Sequence, residues 1–440
     1  MAIQIYEKEF HIPPSTHESS LLVHIRKCVE NKLSADEIPV RFTVIESGPS
    51  GYSCELGLVI ADEKELPKRP RSIFEVRPRA WESGDSFCAA MIIPTGVDCE
   101  VGGDAGDAGP AARLLASCCD RLILHPNVVN ASDINELPEN SLYVEGSVLS
   151  KIMMGTAGVL PVRSNRILLI IDDHKDKNIT DSYINTFSAA RATWGMRGAG
   201  VVALNPTFYS RLDIAPSGRA SGRIENFGYI LQALEKHRGE YDAVAIASVM
   251  DSEEGKGLIK KYYETEMLNP WGGLEAMLTH TTSLFLDLPS AHSPMVEDTS
   301  VYDLGVGVVD ERKAAELVST TYLHCILKGL HRSPRIITDP EVMKSPEVVK
   351  AENVACLVQP AGCLGLPTLA ALEQGIPVIA VRGNTNIMKN DLRTLPFRSD
   401  KYFEVENYLE AAGLMSALRA GVDPETVYRP ISKTIVDRKA

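Results

Sequence analysis

The feature that most constrains this chain is a recurring unit: a short apolar run, a loop of Gly, Pro, Asn or Asp, then a helical stretch. The apolar runs predict strands at 87–93, 121–124, 142–144, 167–171, 200–204, 243–249, 283–286, 355–358 and 378–381. Several lack period-two alternation, as expected of strands covered on both faces by helices. The pattern predicts an α/β chain of Rossmann-like, doubly wound parallel sheets. Ligands of such folds bind outside the carboxyl ends of strands. Residues 1–80 read differently. Leu21, Leu22, Ile25 and Val29 have helical spacing, and strands at 40–45 and 54–60 flank a Gly- and Ser-rich turn. The expected organisation is a small α+β module over 1–80, an α/β domain with Gly-rich strand-end loops over 81–250, and a second α/β region over 251–440. The last region holds a βαβ unit and ends in a helical tail.

Charge narrows the class of partner. The 440 residues carry 45 Lys and Arg against 58 Asp and Glu, a formal net charge of −13. Binding to nucleic acid relies on clustered cations that displace counterions, and no such cluster occurs. No apolar run is long enough to span a bilayer. The first ten residues carry acids and lack the apolar core of a signal peptide. The nine cysteines include no C-x-x-C pair, so reduced thiols are expected. These features predict a cytoplasmic protein with no nucleic-acid or membrane partner.

Five segments concentrate the residues that do chemistry. The first runs from Thr95 and Gly96 to Gly102-Gly103-Asp104-Ala105-Gly106-Asp107-Ala108-Gly109-Pro110 and then enters a helix. Glycines let a backbone approach a ligand, and a helix N-terminus offers N–H groups to an anion. The spacing is neither a dinucleotide fingerprint nor a Walker loop. Asp104 and Asp107 suit hydroxyls, an ammonium group, or a divalent ion accompanying a phosphate. No motif requires a cofactor, and no His pair has metal-site spacing.

The second segment, His125-Pro126-Asn127 to Asn130, follows a strand. It offers an acid/base at His125 and hydrogen-bonding groups at Asn127 and Asn130, with Glu145 expected at the same cleft. Local capping of the next helix is the alternative. The third contains Ser217, Gly218, Arg219 and Arg223 ahead of an expected helix. It reads as a cradle for carboxylate or phosphate, since arginine makes bidentate contacts. In the fourth, His292 stands in a Pro-flanked stretch after an expected strand, which aims its ring. His280, His324 and His331 read as packing or surface histidines. The fifth holds Gly362, Cys363, Gly365 and Thr368 before a helix, with Arg382, Asn384 and Asn386 after the next strand. Cys363 reads either as a thiolate favoured by the helix dipole or as a small buried residue.

Gly362-Cys363 before a helix is similar to a cysteine loop of aspartate/glutamate racemase-like enzymes, and the same unit resembles the donor loop of two-domain glycosyltransferases. A wider resemblance covers residues 92–388. Its ordered pieces include Ile93-Pro94-Thr95-Gly96, Gly102-Gly103, His125-Pro126-Asn127, Leu142-Tyr143-Val144-Glu145-Gly146, Ser217-Gly218, Ala291-His292 with Pro294, and Asn386 with Met388. This set resembles an uncharacterised bacterial and cyanobacterial family known as a domain of unknown function. The resemblance implies a site at strand ends and no particular reaction.

The combined expectation is an enzyme acting on a small anionic metabolite, carboxylated or phosphorylated, by lyase or isomerase chemistry. His125, His292, Asp107, Glu145 and Cys363 are the candidate catalytic residues. A nucleotide-sugar-dependent transferase and a non-catalytic binding protein are the alternatives. A homo-oligomer is expected.

Overall fold

A six-stranded parallel sheet forms the backbone of the fold. Its spatial order is Tyr402–Val405, Val378–Val381, Val354–Pro360, Cys88–Met91, Arg121–Leu124, Ser141–Tyr143. By position in the chain this is 6-5-4-1-2-3, the doubly wound order of dinucleotide-binding folds. The computed structural model describes all residues except 1–2, 16–19, 63, 65, 69, 252–255, 300–304, 319–320, 435 and 437–440. Cys88–Met91 and Val378–Val381 are buried at every position, which explains their unalternating apolar sequence.

Between Tyr143 and Val354 the chain leaves this sheet and builds a second parallel one. Its order is Arg197–Leu204, Arg166–Asp172, Ala243–Val249, Ser290–Met295. The fold is thus α/β with two Rossmann-like sheets, as expected. The helices start and stop on local signals. Lys177–Trp194 opens on Asp176, whose carboxylate accepts from Asn178 N, and closes on Gly195 at φ +70°. Leu366–Gln374 has a proline in its first turn and Gly375 at φ +62° past its end.

A third sheet is antiparallel. It runs Tyr209–Ile214, Ala220–Glu225, Gln4–Ile12, Gly51–Ile60, Glu37–Gly48, Leu364–Gly365. The sheet begun by residues 1–80 is therefore completed by a hairpin from the middle of the chain and by two residues near the βαβ unit. Strand membership does not follow the sequence boundaries drawn above.

Three segments differ from the sequence reading. Residues 283–286 end the helix Gly272–Leu286 and are not a strand. The stretch around His292 is a strand, Ser290–Met295, at the edge of its sheet, where Pro294 is tolerated. Residues 216–218 turn a hairpin, closed by Ala215 N donating to Arg219 O at 2.9 Å, and do not lead into a helix.

Candidate functional site

The first and fourth strands of the large sheet run side by side, with Met91 opposite Val358. Their connections leave in opposite directions, which opens a crevice at their carboxyl ends. A cavity of about 550 Å³ occupies that crevice, lined by Thr95, Gly96, Gln359, Cys363 and Thr368 among others. One face of the helix Gly272–Leu286 forms a long wall: Gly272, Glu275, Ala276, Thr279, His280 and Leu284 line the cavity, and Asp287 follows. The spacing of three or four keeps these residues on one stripe, and at 1.5 Å per residue the wall runs about 22 Å. Gly272 brings the helix onto the switch point. A Cβ there would stand 3.2 Å from Cβ of Thr95.

Two carboxylate–histidine pairs join this wall to the sheets. Oε1 of Glu145 lies 2.5 Å from Nδ1 of His280. Glu145 also caps the helix Gly146–Met153, accepting from Ser147 N at 2.9 Å and from the Ser147 hydroxyl. Burial drives the Glu145 carboxyl up, but the His280 ring and the Ser147 donors outweigh it and hold the group below its usual range. In the second pair, Oε1 of Glu275 lies 3.0 Å from Nδ1 of His292. The His292 side chain is wholly buried, whereas that of Glu275 is 28% exposed, so the carboxylate is the member open to the cavity.

His125 lines the same cavity, but its Nε2 accepts the Ile93 backbone N–H at 3.1 Å. Burial pushes its pKa down to about 4, so the ring is neutral. Beside Thr95 lies Arg41, buried, donating to Thr95 O at 3.2 Å and Gly273 O at 3.4 Å. Burial lowers its guanidinium to about 10, still charged at neutral pH. The helix Leu366–Gln374 starts at the crevice with no side-chain cap on its N-terminal N–H groups.

Several sequence candidates have other duties. Arg219 is fully buried and bound to Glu7 and Glu55, while Ser217 donates to Glu55. The arginine therefore neutralises two interior carboxylates and does not reach the cavity. Arg223 is exposed, and Gly218 sits in the hairpin turn at φ +89°. Arg382 is on the surface, 2.8 Å from Glu406. Asn384 is buried against Val101 and Tyr408, and Asn386 donates to Ala361 O at 2.8 Å. Asn127 lines the cavity and ties Ile93 O to Gly102 O. Asn130 bonds Tyr143 and Asn135. Thr368 and Gln359 both donate to Cys363 O, which fixes the turn that starts at Gly362.

The glycine-rich loop is shaped chiefly by packing. A Cβ on Gly103 would meet Cys99 O at 2.2 Å, and one on Gly106 would meet Cβ of Ala131 at 2.0 Å. Gly102 packs on Ile93 and lends its N–H to Asp107 at 2.7 Å. Burial lifts the Asp107 carboxyl to about 7. Asp104 accepts from Tyr262 at 2.6 Å. Glu316 accepts from Ala105 N at 2.9 Å, and burial lifts it too to about 7. Among the described residues, no group of three or more His, Cys, Asp or Glu is placed to hold a metal ion.

Arg41, Glu275, His280 and Glu316 were not among the sequence candidates. One signal was present: Glu275 and His280 are titratable groups in a helix that is otherwise mostly apolar or Thr-rich, and such groups rarely sit in a buried helix without a partner.

The family model described as "Protein of unknown function (DUF3326)" matches residues 88–428. The chain belongs to the DUF3326 family. The match begins at the first strand of the large sheet and takes in both parallel sheets, while Arg41 lies outside it. An uncharacterized lipoprotein of Synechococcus sp. (strain ATCC 27144 / PCC 6301 / SAUG 1402/1) is 32% identical over 343 residues, 78% of this chain and 93% of the relative. No solved structure matches the chain. The name of that relative overturns the expectation of a cytoplasmic protein, which had rested on the lack of a signal-like apolar stretch and on the unpaired cysteines. Among the described residues, no helix is long and apolar enough to cross a membrane.

Proposed function

We propose that the protein is an enzyme that holds a small anionic metabolite in this cavity and moves a proton on it, in lyase or isomerase chemistry. The observation that carries this reading is the pair of carboxylate–histidine contacts, Glu145–His280 and Glu275–His292, set along one wall at the switch point. The hydrogen bond between Glu275 and Nδ1 fixes the His292 ring, whereas Glu145 meets Nδ1 of His280 as a close charge contact without hydrogen-bond alignment and leaves Nε2 of that ring to exchange the proton. At His280 that nitrogen has no second protein partner among the described residues. At His292 it meets Ser248, so there the ring serves to hold Glu275. The two pairs thus offer one histidine and one carboxylate as separate acid and base.

The positive charge for an anion comes from Lys68, Arg71 and Lys151 and from the uncapped start of Leu366–Gln374, while the Arg41 guanidinium is already paired with Glu7 at 3.7 Å. Cys363 faces the cavity but lies buried beside Cys99, and the proposed proton transfer does not use it.

The test has two parts. A thermal-shift panel of carboxylates, sugar phosphates and nucleotide sugars finds the class that binds. A ligand at about a hundred times its Kd adds roughly 2.7 kcal/mol. The hits are then incubated with the protein in D2O and followed by NMR. Deuterium entering a carbon next to the acid group supports the reading. Binding confined to nucleotide sugars, with no exchange, would turn it toward a transferase.

A further inference from the structure

We propose that the cavity takes an elongated amphiphile, with an anionic head group at Lys68, Arg71 and Lys151 and a hydrocarbon tail lying toward Met250 and Met295. The inference deepens the acid–base reading and rests on it for the reacting centre between the two ends.

The two ends of the long wall differ in chemistry. At the Asp287 end three cations face one carboxylate. Lys68 and Lys151 both pair with Asp287, the second at 3.5 Å. Arg71 is exposed, lines the cavity and makes no ion pair among the described residues. Such an excess of charge at a partly open rim attracts an anionic group. Toward the Gly272 end, beyond the polar Thr95 and Arg41, one stretch of the lining is apolar: Leu212, Met250, Leu258, Met295 and Val296 are all buried.

These residues form one surface. Val249 stands opposite Met295 in the small sheet, and Leu212 N donates to Asp251 O at 2.8 Å, which brings Leu212 beside Met250. Water against such walls finds few partners, so a hydrocarbon that displaces it gains free energy. Glu297 stands at the edge of this lobe, and burial raises its carboxyl toward the neutral form. Glu145–His280 and Glu275–His292 lie between the rim and the lobe, because their helical residues fall between Gly272 and Asp287 on the same stripe.

The experiment is isothermal calorimetry of the full chain with straight-chain carboxylates from butanoate to dodecanoate, each below its micellar concentration. The expected result is a Kd that falls about fourfold per added methylene until the lobe is filled. Arg71→Ala should weaken every member by a similar factor. Ile259 follows Leu258 and also lines the cavity, half-buried, and Ile259→Ser should weaken only the longer ones. Affinity that does not change with chain length would overturn the tail site while leaving the acid–base reading intact, and so would an absence of binding by every member. No effect of Arg71→Ala would overturn the head-group placement. Steep chain-length dependence without deuterium exchange would support the amphiphile site and remove the catalytic reading instead.

Discussion

Nδ1 of His292 lies 3.0 Å from Oε1 of Glu275, and Nε2 of the same ring lies 3.0 Å from Oγ of Ser248. Both nitrogens of a wholly buried side chain are therefore occupied. His292→Ala should leave Ser248 without its partner in the interior and open a void. The expected loss of stability is on the order of 2–3 kcal/mol, read as a lower Tm and an earlier urea midpoint. His292→Gln, which keeps part of the hydrogen bonding, should lose less. An unchanged Tm for the alanine variant would contradict the assignment.

Arg219 and Arg382 provide a second contrast. Removing Arg219 leaves Glu55 without an ion pair among the described residues and Glu7 with Arg41 alone, 3.7 Å away, and Arg219→Met should cost about 3–5 kcal/mol. Arg382 pairs with Glu406 on the surface, and Arg382→Ala should change stability by no more than about 0.5 kcal/mol. Urea denaturation of the two variants side by side measures both. Equal effects would contradict the assignment of Arg219 to two interior carboxylates.

Glu316 gives a pH dependence with a definite sign. Its carboxyl is raised from 4.5 to about 7 by burial, so between those values the folded chain binds the proton that the unfolded chain has released. Stability from this group is complete below pH 4.5 and is lost as pH climbs through 7. Glu316→Gln should therefore gain on the wild type as pH rises from 5 to 8, as measured by Tm in matched buffers. His125 works in the opposite sense. Its pKa of about 4 means the unfolded state takes up the extra proton between 4 and 6.5, so its contribution is lost as pH falls through that window. A constant gap between wild type and Glu316→Gln across the range would refute the shift.

Gly106 tests whether the glycine loop is shaped by packing. It has φ +89°, and a Cβ would fall 2.0 Å from that of Ala131. Gly106→Ala should cost about 2–4 kcal/mol, seen in the urea midpoint with an unchanged slope. A variant as stable as the parent would mean the loop repacks freely.

Much of the scaffold was legible because burial on both faces leaves an unmistakable run. Arg121–Leu124, Ala243–Val249 and Val378–Val381 have the bounds that their apolar residues predict. Edge strands do not carry that signature. Ser290–Met295 contains two serines, a histidine and a proline, and reads as a loop until its neighbour is known. Gly272–Leu286 is buried around most of its circumference, so it lacks an amphipathic stripe, and its final Leu-Phe-Leu looks like a strand.

The site was legible only where one segment supplies it. Thr95, His125, Asn127, Glu145 and Cys363 follow strands of the large sheet and do line the cavity. Arg41, Glu275 and His280 reach it from elements whose position depends on long-range packing. Arg219 misled for the same reason. Its Ser-Gly-Arg turn resembles an anion cradle, and nothing local reveals that Glu7 and Glu55 lie beneath it.

The central claim is that His280, set beside Glu145, exchanges a proton with the bound ligand. The most direct measurement is the rate at which deuterium from D2O enters a bound carboxylate or phosphate ligand, compared between wild type and His280→Gln. The account predicts exchange in the wild type and a loss of at least about a hundredfold in the variant, with ligand affinity nearly unchanged and a lower Tm, since Glu145 loses its buried partner. Equal exchange rates in the two proteins would contradict it.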